Sequence, residues 1–117
     1  MDLRDLVNAL LAYDALSARQ WLADAVRSNL VWKDLEAPAG LDQTAFSLAA
    51  GVVELFAERA QQPAPAWTAQ ATPLATPRFL VRAAETMPRL RRACEREGPE
   101  PLRRRGFLAP PGFLTAA

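Results

Sequence analysis

The sequence predicts a mostly α-helical single domain, and three of its features lead there. Its 117 residues are half apolar, enough for one core and one domain. Through residues 2–59 the apolar positions recur at three- and four-residue intervals, the period of an amphipathic helix. Nine of the ten prolines fall after residue 60, where long helices give way to extended backbone and short turns. The expected architecture is an N-terminal three-helix core, then an extended Pro-rich wrap with one or two short C-terminal helices. Residues 1–60 form an acidic helical half and 61–117 a basic Pro-rich half of the same domain.

Taken in order, Leu3, Leu6, Val7, Leu10 and Leu11 make one apolar stripe, predicting a first helix over about residues 2–13. Asp14 and Ser17 both suit the next cap. Ser17 with Gln20 forms a capping box ahead of the stripe Trp21, Leu22, Ala25 and Val26, which puts the second helix at about 17–28. Residues 29–40, with Pro38 and Gly40, read as a connection. Asp42 or Thr44 caps a third helix in which Ala45, Phe46, Ala49, Val52, Val53, Leu55 and Phe56 cover more than one face. Only Glu54, Glu58 and Arg59 mark a solvent side, so this is the central helix. Gly51 within it implies close packing of a neighbouring element, because glycine weakens a helix by about 1 kcal/mol relative to alanine.

Residues 61–77 carry Pro63, Pro65, Pro73 and Pro77 and read as loop or polyproline-like backbone packed over the core. Beyond them the residues are compatible both with a helix starting at Thr76–Pro77 and with a short extended segment at Phe79–Val81. Thr86-Met87-Pro88-Arg89 starts a further helix in which Met87, Leu90 and Cys94 share a face, and Gly98-Pro99 ends it. The tail has too much proline and glycine for another long helix. Gly106-Phe107-Leu108 is echoed at Gly112-Phe113-Leu114.

Composition narrows the chemistry. There is no histidine and one cysteine, which removes imidazole acid–base catalysis, Cys–His pairs, Ser–His–Asp triads, internal disulfides and nearly every zinc site. The five glycines are isolated, so no phosphate-cradling loop is present. The carboxylates lie on solvated faces or among arginines, without the apolar pocket that splits a catalytic pair. A non-enzyme is therefore expected, with no metal and no cofactor. No apolar run reaches the length of a membrane span, and Met1-Asp-Leu-Arg-Asp5 lacks the basic start of a secretory signal, which predicts a cytoplasmic protein. Cys94 reads as an inert small hydrophobe, and Trp21, Trp32 and Trp67 as core or core-edge anchors.

Charge is the informative feature. Residues 1–60 hold nine acids against five bases, whereas 61–117 hold nine arginines against four acids. Arg89, Arg91, Arg92 and Arg96 lie on one short helix, and Arg103, Arg104 and Arg105 follow, more than Glu95, Glu97 and Glu100 can neutralise. Three uses compete: docking on an acidic protein, contacts to nucleic-acid phosphates, or internal pairing with Asp2, Asp5, Asp24, Glu54 and Glu58. Aromatic interleaving is thin, and no helix-turn-helix precedes the arginines, so nucleic acid ranks behind protein.

Two stretches also occur together: Pro63-Ala-Pro-Ala-Trp67 directly after a helix ending in Glu58-Arg59-Ala60, and Pro99-Glu-Pro-Leu-Arg-Arg-Arg-Gly-Phe107 followed by Pro111-Gly-Phe-Leu114. This order, over residues 45–117, resembles small bacterial proteins encoded beside nucleotidyltransferase-like toxins, the presumed antitoxins of type II toxin–antitoxin modules. In longer relatives the same pattern follows a helix-turn-helix domain, which this chain lacks ahead of it. The resemblance implies a protein-binding module that neutralises a co-encoded toxin. The expected contact residues are Trp67, Arg89, Arg92, Arg96, Arg103, Arg104, Arg105 and Phe107. A small nucleic-acid-binding regulator and a structural or assembly protein are the alternatives.

Overall fold

In the computed structural model, which describes residues 2–115, each of the first three helices begins on an aspartate. Asp2 accepts from the Arg4 amide at 2.9 Å to start α1 (Leu3–Leu11). Asp14 accepts from the Ser17 amide at 3.1 Å to start α2 (Ala15–Arg27). Asp42 accepts from the Ala45 amide at 2.8 Å to start α3 (Gln43–Arg59). A carboxylate there satisfies a free amide and complements the positive end of the helix. The capping box expected at Ser17 and Gln20 does not form, since Asp14 starts the helix and Ser17 sits inside the first turn as the donor.

The other ends of these helices also share one motif. Tyr13, Asn29 and Gln61 adopt the left-handed conformation, at φ 60°, 53° and 57°. The next amide in each case turns back to a helical carbonyl: Asp14 to Ala9 at 2.8 Å, Leu30 to Ala25 at 3.1 Å, Gln62 to Ala57 at 2.8 Å. These are Schellman closures, which usually carry glycine at the left-handed position. Here a tyrosine, an asparagine and a glutamine take it, so glycine marks none of the three stops in the sequence.

α1 buries Leu3, Leu6, Val7 and Leu10, and α2 buries Ala18, Trp21, Leu22 and Ala25. Val26, expected on the same stripe, is exposed, because it lies about 100° around the helix from Ala25. α3 is the central helix, with eleven of its seventeen residues buried. Trp32, in a 3₁₀ turn at Trp32–Asp34, lies 6.4 Å from Trp21 and stacks on Phe56 at 6.1 Å. This aromatic row joins α2 to α3. Glu54 does not mark a solvent face; its side chain is only 11% exposed.

The Pro-rich wrap runs across α3. Its 3₁₀ turn Ala66–Gln70 sets Trp67 on Phe46 at 5.5 Å, and the Ser47 hydroxyl donates to the Thr72 carbonyl. Of the two continuations open at residue 77, the extended one is found. Strand β1 (Arg78–Phe79) pairs in parallel with β2 (Phe107–Leu108). The Leu74 amide donates to the Arg105 carbonyl at 3.0 Å and the Leu80 amide to the Leu108 carbonyl at 2.9 Å. These carbonyls come from the far end of the chain, and a Pro-rich segment has few amide partners of its own.

After a 3₁₀ turn at Arg82–Glu85, α4 (Pro88–Glu97) starts on Pro88 without a side-chain cap. Cys94 is fully buried and Leu90 half-buried, but Met87 is exposed and does not share their face. The short α5 (Glu100–Arg103) then crosses α3 at Gly51. A Cβ on Gly51 would stand 3.0 Å from the Leu102 side chain and 3.2 Å from the Pro101 carbonyl, so the expected close approach is there. Gly106, at φ +89°, turns the chain from α5 into β2. One hydrophobic cluster runs from Leu3 to Leu114 and draws on both halves of the chain.

Phe56→Ala is expected to destabilise the protein by about 3–5 kcal/mol, the usual range for truncating a buried phenylalanine. A loss below about 1 kcal/mol in a denaturant melt would contradict its core position. Gln61→Gly is expected to raise stability by about 1 kcal/mol, by relieving the left-handed strain. Thermal unfolding measures it, and an unchanged or lower midpoint would count against the strain.

Candidate interaction surface

The arginines divide between the inside of the molecule and its surface. Arg105 is 6% exposed. Its Nη2 donates to Glu54 Oε1 and, at 3.0 Å, to the Thr68 carbonyl, while Nη1 donates to the Pro101 carbonyl at 3.2 Å. Burial pulls this guanidinium below its ordinary pKa. Among the described residues its Nε has no hydrogen-bond partner. Arg104 takes the other Glu54 oxygen, and Arg103 donates to Glu100 at 2.9 Å and to the Arg96 carbonyl. Every member of the triplet therefore has an acceptor within the fold.

This pairing corrects the expected contact surface. Arg105 is internal and Arg104 is tied to Glu54. Phe107 is fully buried in β2 as the largest enclosed side chain. Trp67 is half-buried between Phe46 and the Leu35 carbonyl, to which its Nε1 donates at 2.8 Å. Glu54 is the residue that sequence reasoning undervalued. A signal was present, since it is the only charge between Ala45 and Ala57 on a helix buried on several faces. A carboxylate placed there needs a cation brought to it.

α4 behaves differently. Arg91 is used internally: its guanidinium lies 5.1 Å from the Phe79 ring centre, and its Nε is 3.7 Å from Glu95. Arg89, Arg92 and Arg96 are exposed, and among the described residues none has a carboxylate within 4.0 Å. At 100° per residue they lie within a sector of about 60° on the outer face. With Ala93 and Glu97 they line a shallow groove of about 310 Å³. Arg103, half-buried, adjoins them through its bond to the Arg96 carbonyl. Of the expected contact residues, the structure brings Arg89, Arg92, Arg96 and Arg103 together on one side and leaves Trp67 apart from them.

Elsewhere, a wider groove of about 700 Å³ lies between the start of α1 and residues 30–39, with Asp2, Asp34 and Glu36 at its rim. Cys94 is buried, and burial raises its thiol pKa, so little of it is thiolate at neutral pH. No helix among the described residues is long and apolar enough to cross a membrane. No family model matches the chain, and neither a curated protein nor a solved structure gives a significant match.

Glu54→Ala leaves Arg105 buried without its counter-charge and is expected to destabilise by about 3–5 kcal/mol. Replacing the pair by Glu54→Leu with Arg105→Met is expected to recover a large part of that loss, because no unpaired buried charge remains. Chemical denaturation of the single and double variants measures the coupling. Strictly additive losses would show that the two side chains do not depend on each other.

Proposed function

We propose that this chain is a non-enzymatic protein-binding module that docks an acidic partner through the outer face of α4. The observation that carries the reading is the set Arg89, Arg92 and Arg96, exposed on one helix face with no carboxylate within 4.0 Å among the described residues. Guanidinium groups pair with carboxylates through two parallel hydrogen bonds, which gives such a face orientation as well as charge. A protein partner fits better than nucleic acid. The chain carries a net charge of only +1, and its acidic half repels a polyphosphate while the arginines attract it. Read with the resemblance to antitoxin-like proteins, the partner is a co-encoded toxin that this chain neutralises in the cytoplasm.

Co-expression with the product of the adjacent gene tests this directly. The two proteins should co-elute, and growth inhibition by the toxin should be relieved. Arg89→Glu, Arg92→Glu and Arg96→Glu together should weaken the complex at least about tenfold, given a contribution of about 0.2–1 kcal/mol per exposed pair and the repulsion added by reversal. The melting temperature should stay close to that of the wild type. A complex indifferent to the reversal would sink the reading. Salt-dependent binding to nucleic acid that is lost with the same arginines would move the function to the regulator class.

A further inference from the structure

We infer that the element docking on α4 is itself an α-helix, with carboxylates at i, i+3 (or i+4) and i+7. This rests on the protein-binding reading above and specifies its partner. Arg89, Arg92 and Arg96 stand three and four residues apart, so along the α4 axis they fall at about 0, 4.5 and 10.5 Å. A partner helix running alongside repeats its side chains at the same intervals and meets all three arginines at once. An extended segment presents one face about every 6.6 Å, hence at about 0, 6.6 and 13.2 Å, and is out of step by nearly 3 Å at the third arginine.

Two neighbours of the arginines agree. Ala93 lies in the same groove, and a small side chain there lets a second helix approach to the 8–10 Å typical of packed helices. Glu97 borders the groove as well. A helix can answer it with a lysine or arginine beside its acids, whereas a phosphate backbone only repels it. The face is also preformed. Cys94 anchors the inner side of α4, and Arg91 is held over Phe79, so docking orders little backbone.

The probe is a short alanine-based helical peptide with glutamates at i, i+3 and i+7 and a lysine placed to meet Glu97. Its control keeps the same glutamates and lysine, with one alanine replaced by proline and the glutamates at alternate positions. Each is titrated into the isotope-labelled 117-residue chain while the amide and arginine Nε–Hε resonances are followed. The helical peptide should shift the signals of Arg89, Arg92, Arg96 and Ala93 and bind about 1.4- to 5-fold tighter for each pair the control cannot form. Alanine at the three arginines should abolish the difference, whereas Arg19→Ala on α2 should not change it. Equal binding of both peptides, or displacement of the helical one by an oligothymidylate, overturns the helical partner. If the native complex still responds to charge reversal in that case, only this inference fails. If it does not, the protein-binding reading fails with it.

Discussion

A largely enclosed carboxylate on the central helix organises the second half of this protein. Glu54 sits on α3 among apolar residues, and a charge in that setting is tolerated only when paired and hydrogen-bonded. Arg104 and Arg105 each take one of its oxygens. Gly51, one turn earlier on the same face, leaves the space in which Leu102 and the Pro101 backbone settle. Glycine and glutamate three residues apart thus form one receptor for α5, the first by absence of volume and the second by charge. Arg105 in turn reaches the Thr68 carbonyl, so the Pro-rich wrap, α3 and α5 meet at a single guanidinium.

From there order propagates along backbone hydrogen bonds. The Arg105 carbonyl receives the Leu74 amide, and the neighbouring residues pair as β1 and β2. Phe107 is consequently drawn into the core, and Arg59 closes the end of the chain by donating to the Phe113 carbonyl at 2.8 Å. The basic C-terminal region is therefore a packed layer and not a flexible charged tail.

The same pairing decides which arginines are left without an acceptor among the described residues. The consecutive triplet is the densest run of positive charge, yet its members are held by Glu54, Glu100 and backbone carbonyls. Among the described residues, the less conspicuous Arg89, Arg92 and Arg96 on α4 have no such acceptors. Which arginines stay unpaired, and at what spacing, is therefore set by the fold and is not reported by charge density along the chain.

Much of the fold was legible because it depends on near neighbours. The apolar period of α1 and α3, the candidate caps Asp14 and Asp42, the need for close packing at Gly51 and the extended character of the Pro-rich stretch all rest on local physical chemistry. The helix ends at Tyr13, Asn29 and Gln61 were harder to read, since the chain tolerates left-handed backbone there without glycine. The choice of strand over helix at Arg78–Phe79 depended on partners nearly thirty residues away. The sequence by itself determined a helical core and a basic C-terminal half. Only the tertiary structure decided that Glu54 faces inward and takes Arg104 and Arg105 with it, because the desolvation that makes that pairing necessary exists only once α5 has closed over α3.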